Sequence, residues 1–148
     1  MGMYIQKEVD FVKRTRKILQ DYKGDYKVTL LINCCVGLLI VPKEKWYNDL
    51  PTDTVNQKDL GIAPSDIKIE TSPSIKKVVR HLRNSVAHYR YTFIDSPTKK
   101  IEGIKFTDED SRIGRDNFEL TISVENLRRF LDKFSQSMLE KMEKSKGT

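Results

Sequence analysis

The apolar run Val28-Thr29-Leu30-Leu31-Ile32-Asn33-Cys34-Cys35-Val36-Gly37-Leu38-Leu39-Ile40-Val41 constrains this chain more than any other segment. A helix built from it is apolar almost all round, so it must be covered on several sides rather than along one stripe. Its fourteen residues fall short of the ~20 needed to span a bilayer. The run therefore predicts a buried core helix over about residues 26–41. Pro42 ends or kinks it, because proline lacks the amide hydrogen a helix interior needs. Cys34 and Cys35 lie inside the run and are the only cysteines. An adjacent pair offers neither a disulfide framework nor a zinc-ligand set, and a buried thiol behaves as a small hydrophobe.

Other amphipathic segments must supply that cover. Residues 3–22 place Ile5, Val9, Val12 and Leu19 near one face with lysines and arginines between them, which predicts a first helix closed by Gly24. Ser72-Pro73-Ser74 has the form of a helix start, with a serine as cap and proline in the first turn, and predicts a helix over about 74–87. Ser123 can cap a last helix over 124–144, on which Leu127, Phe130, Leu131, Phe134, Met138 and Leu139 form the apolar face. Between these, residues 42–47 can form another turn, and 48–71 have little periodicity and read as a long loop. Residues 90–95, 100–106 and 117–122 alternate like short strands around a polar turn at 108–116, so 90–122 is expected to be a small antiparallel β-insert. Residues 143–148 read as a polar, frayed tail. The whole, 1–148, is expected to be one domain, since 148 residues can bury a real core but hardly two.

The formal charge of +6 favours an acidic partner, with nucleic acid the commonest. The basic group Lys13, Arg14, Arg16 and Lys17 can line an RNA path, although such a run is more often the solvated face of a helix. Two cysteines that form no disulfide framework lead us to expect a cytoplasmic protein, the first residues carry no apolar signal region, and no membrane partner is expected.

Both histidines of the chain fall in the stretch His81-Leu82-Arg83-Asn84-Ser85-Val86-Ala87-His88-Tyr89-Arg90. Imidazole titrates near neutrality, so acid–base chemistry has an obvious place here. On the predicted helix, Ile75, Val79, Leu82 and Val86 define a core stripe, and the opposite side carries His88 with His81 and Asn84 close to it in projection. Asn84 and His88 stand one turn apart and can touch. Arg83 lies about 140° from His88 around an ideal helix, so either the helix distorts near Ala87 or a second copy supplies one of the two groups. Tyr89, Tyr91 and Phe93 read mainly as packing residues, because alternation gives one buried face. The acidic triplet Asp108-Glu109-Asp110 has no calcium-loop spacing, and no metal site or cofactor is expected.

The Arg83-Asn84-x-x-x-His88 segment resembles the active-site motif of the HEPN superfamily, small helical domains that include many metal-independent endoribonucleases. The segment Leu38-Leu39-Ile40-Val41-Pro42-Lys43-Glu44 and the strand-then-helix ending also resemble a plasmid-borne HEPN subfamily. The resemblance implies a mainly α HEPN-like four-helix bundle with the β-insert before its last helix. It further implies a homodimer that brings two motif helices together, with a composite RNA-cleaving site and no metal. Within it Arg83, Asn84 and His88 would be catalytic: His88 transfers protons, Arg83 stabilises phosphate charge, and Asn84 orients either partner. His81, Tyr89 and Arg90 would contact substrate, Tyr89 by stacking on an unpaired base. A toxin or defence role, with an antitoxin or other regulator, is the wider expectation. A non-catalytic RNA- or nucleotide-binding dimer is the alternative, since fold alone does not decide activity.

Overall fold

The computed structural model describes residues 2–24, 27–40, 61–62, 64–68, 74–98, 100–110 and 112–146. Helix α1 (Gly2–Asp21) is followed by α2 (Lys27–Cys35), which continues through Val36–Ile40 as a π-helical stretch. A single 3₁₀ turn (Pro64–Asp66) leads into β1 (Ile67–Lys68), and then come α3 (Ile75–Ala87), β2 (Tyr91–Asp95), β3 (Ile101–Asp110), β4 (Arg115–Ser123) and α4 (Val124–Lys146).

The apolar run folds as its composition demands. Leu31, Cys34, Cys35, Leu38 and Leu39 are buried, and the stretch packs against α1, α3 and α4. Burial pushes the Cys34 thiol up, and burial together with the neighbouring Cys34 pushes Cys35 much further, so neither offers a reactive thiolate. Helices α1 and α4 lie against one another with Val9, Val12 and Leu19 facing Leu127, Phe130, Leu131, Phe134 and Met138 in one core. Their seam is also polar at one point, where Arg16 donates to Asp132 at 2.8 Å and to Ser135 at 3.0 Å. Ser123 caps α4 by accepting from the Asn126 amide at 3.1 Å. Helix α4 continues to Lys146, with Met142 fully buried and Glu143 paired with Lys13 of α1 at 2.9 Å; of the expected tail, residues 147–148 lie outside the described residues.

The architecture corrects the expected four-helix bundle. Among the described residues the four helices share the molecule with a four-stranded antiparallel sheet of order β1-β4-β3-β2, and the fold is mixed α/β. The sheet is a structural layer and not a small insert. Ile104, Phe106, Phe118, Leu120 and Ile122 are buried on one face, and the register sets Ile104 opposite Ile122 and Phe106 opposite Leu120, so the cross-strand pairs are core pairs. That face packs against α3 and α4.

Two local readings change with it. The polar segment 108–116 is mostly strand: β3 runs to Asp110 and β4 begins at Arg115, leaving a tight reversal in which Gly114 adopts φ 62° and Asp110 accepts from the Arg112 amide. Within the segment read as a loop, 48–71, Ile67 and Lys68 pair with Leu120 and Glu119 as the fourth strand. Just before it Gly61 approaches α4 so closely, at φ 75°, that a Cβ there would meet the Asn126 carbonyl at 2.9 Å. The rest of that segment and the turn at 42–47 lie outside the described residues, apart from 61–62 and 64–66.

Candidate functional site

The candidate site is built where α3 ends against β3. Of the two serines offered by the Ser-Pro-Ser pattern, Ser74 caps the start of α3, accepting from the Lys77 amide at 3.2 Å; Pro73, expected in the first turn, precedes the cap and lies outside the described residues. The helix buries more than one stripe. Besides Val78, Val79, Leu82 and Val86, it buries His81 and Ser85, because the sheet covers that side. Ser85 donates to the Thr107 carbonyl of β3 at 2.6 Å, and the His81 ring stacks on Phe118 of β4 with centroids 4.4 Å apart.

One carboxylate organises this contact. Asp108 stands directly opposite Phe118 in the β3–β4 ladder and is 4% exposed. One of its oxygens accepts from His81 Nδ1 at 2.8 Å and from Asn84 Nδ2 at 3.1 Å; the other accepts from the Glu109 amide at 2.8 Å. Burial pushes the Asp108 carboxyl up. The hydrogen bonds from His81, Asn84 and Glu109, with the charge of a protonated His81, outweigh burial and hold it below the ordinary carboxylate value. An ionised Asp108 accepts only, so Nδ1 of His81 carries a proton. Asp108 was not singled out as a site residue from the sequence, yet its signal is there. Ile104, Phe106 and Asp108 alternate onto the buried face, and a carboxylate in that row needs a buried donor.

His81 and Asn84 thus do not lie on an open seam with His88; both are anchored inside their own chain. His88 is different. It is the C-cap residue of α3, its amide bonds the Asn84 carbonyl at 3.0 Å, and its imidazole is exposed with no side-chain partner among the described residues. Tyr89 follows at φ 57° and is 83% exposed. The Tyr89 amide bonds the Val86 carbonyl and the Arg90 amide bonds the Ser85 carbonyl at 2.8 Å, the paired bonds of a Schellman motif with tyrosine where glycine is usual. Tyr89, Tyr91 and Phe93 then form a row of rings 6.3 and 6.0 Å apart. Tyr91 packs on Phe106 as alternation predicts, but Tyr89 stands in solvent and Phe93 is nearly half exposed.

Arg90 turns back into the chain, with its guanidinium 3.6 Å from both Asp108 and Glu109. Arg83 is half-buried on α3, which stays regular to Ala87, so no local distortion brings it round the 140° or so to His88. Three of the group Lys13, Arg14, Arg16 and Lys17 on α1 are paired, Lys13 with Glu143, Arg16 with Asp132 and Lys17 with Asp21, which favours the solvated-face reading over an RNA path.

A family model described as HEPN pEK499 p136 matches residues 1–145. The chain belongs to this HEPN family. No curated protein and no solved structure matches it. Within this HEPN chain the Arg-Asn-x-x-x-His segment occupies the end of α3, and the sheet beside it supplies the carboxylate that anchors its asparagine. No described helix is long and apolar enough to cross a membrane.

Proposed function

We propose that this HEPN protein is a metal-independent endoribonuclease that acts as a homodimer. The observation that carries the reading is His88, an exposed imidazole with no side-chain partner among the described residues, at the end of a helix and one turn from an Asn84 already fixed by Asp108. Tyr89 beside it is held outward by a left-handed backbone that tyrosine rarely adopts, and such conformations collect at functional sites.

In the proposed reaction one imidazole removes the 2′-hydroxyl proton and the freed oxygen attacks the adjacent phosphorus. Arg83 neutralises charge on the pentacovalent phosphorane. A second imidazole gives a proton to the departing 5′-oxygen, leaving a 2′,3′-cyclic phosphate and a 5′-hydroxyl end. One chain presents a single exposed histidine here, and its Arg83 faces elsewhere on the helix. A two-fold axis beside the end of α3 supplies a second His88, and the long Arg83 side chain of either protomer must reach round its helix to the phosphate. Tyr89 offers a stacking surface for an unpaired base. The biological role proposed for such an activity is a toxin or defence effector, held in check by an antitoxin or regulator.

A second reading has a specific observation behind it. Asp108 and Glu109 already engage His81, Asn84 and Arg90, so much of the polar surface near the motif is satisfied without substrate. That favours a non-catalytic RNA- or nucleotide-binding HEPN dimer. Purified protein on mixed-sequence single-stranded RNA separates the two: the proposed nuclease cuts and its His88→Ala variant does not, whereas a binding module retains RNA in both forms and cuts it in neither.

A further inference from the structure

A cleft of about 380 Å³ opens between α3 and the β3–β4 hairpin, beside but not at His88. Arg80, His81 and Asn84 form its helical wall, and Asp108, Arg112 and Asn117 its sheet wall. Most of these groups are committed. His81 and Asn84 are held by Asp108, and Arg112 forms a two-point pair with Asp110 at 3.2 and 3.1 Å. Two are not. Among the described residues the guanidinium of Arg80 is exposed with no ion pair, and Oδ1 of Asn117 is buried without a hydrogen-bond donor. A buried acceptor without a donor is uncommon in a folded chain, and an ordered water or a ligand can supply the donor.

The two uncommitted groups ask for different things. A guanidinium takes an anion in two-point geometry, phosphate above all. A buried amide oxygen takes an N–H or O–H donor. A nucleotide carries both, its phosphate and either a base amine or a ribose hydroxyl. We infer that this cleft binds one nucleotide of the RNA substrate, with Arg80 on its phosphate and Asn117 on its base or ribose. The inference rests on the RNA-cleaving reading for the identity of the substrate. Arg80 and His88 are separated by two turns of α3, about 12 Å along the axis, so the Arg80 phosphate is not the scissile one. Asn84, shared between the cleft wall and the turn below His88, joins the two places. The walls are preset by Asp108, so binding costs little ordering there.

The test uses the full chain and two kinds of probe. Steady-state cleavage of RNA by Arg80→Ala and Asn117→Ala is expected to show KM raised roughly tenfold with kcat nearly retained, since one charge-assisted or buried hydrogen bond is lost in binding. Titration with the four ribonucleoside monophosphates, followed by amide shifts in NMR, is expected to move the cleft resonances in the wild type and in His88→Ala but not in Arg80→Ala. Inorganic phosphate alone should move those near Arg80 and leave Asn117 still. Unchanged KM in both variants overturns the RNA assignment even if monophosphates bind, because the cleft is then a site for free nucleotides. Absence of monophosphate shifts at the cleft overturns the site itself. Because the titration does not require cleavage, a wild type that binds monophosphates but cuts no RNA would count against the nuclease reading and not against the cleft.

Discussion

Asp108 is the residue on which the local arrangement depends, since one buried carboxylate satisfies His81, Asn84 and the Glu109 amide at once. Removing it leaves His81 buried without its partner. Asp108→Ala is therefore expected to destabilise the fold by about 2–4 kcal/mol in chemical denaturation, and an unchanged midpoint would contradict this. The pH dependence follows from its depressed carboxyl. Its stabilising contribution is present above the ordinary value of 3.8 and is lost as pH falls through the lower folded value. Acid unfolding of the wild type should thus steepen below about pH 4, and Asp108→Asn should flatten that limb. Tyr89 makes the opposite case, a residue costly to the fold. Tyr89→Gly is expected to relieve the left-handed strain and gain up to about 1 kcal/mol of stability, while weakening single-stranded RNA binding by about 1–3 kcal/mol as a stacking face is lost. Equal RNA affinity in a filter-binding titration would remove Tyr89 from the site.

At the scale of elements, α3 and its surroundings were legible to different degrees. Its start was readable because Ser74 is a cap that acts locally, and its apolar stripe because Val79, Leu82 and Val86 keep helical spacing. The second buried side was not, because His81 and Ser85 are polar and are buried through distant partners, Asp108 and Thr107 of β3 and Phe118 of β4. The sheet's extent was obscured for a related reason. Asp108, Glu109 and Asp110 have the composition of a turn, yet the ladder carries them as strand with a register shift between Asp108 and Glu109. β1 is only two residues long, too short for any periodicity. If the sheet is a full layer of the core, truncating it must cost as much as truncating a helix. Phe118→Ala is expected to lose about 3–5 kcal/mol, similar to Phe130→Ala on α4, with thermal unfolding as the readout. A loss near zero would return the sheet to the status of an insert.

At the scale of the molecule, the helices and the motif were readable but their assembly was not. A bundle follows when four apolar stripes find only each other. Here the inner face of β3 and β4 competes for α3 and α4 and supplies Phe106, Phe118 and Leu120 to the same core. The site has the same character, since Arg83 and His88 face apart on one helix and only a second copy completes the proposed reaction. Mixing wild type with His88→Ala protein tests that: after subunit exchange a site needing both imidazoles should lose activity as the square of the wild-type fraction, and a merely proportional fall would place each site within one chain. The central claim, metal-free cleavage by His88, is tested most directly by incubating single-stranded RNA with the wild type and with His88→Ala in excess EDTA and identifying the product ends. The account predicts cleavage by the wild type alone, leaving cyclic phosphate and 5′-hydroxyl ends; no cleavage in EDTA, or equal cleavage by His88→Ala, would contradict it.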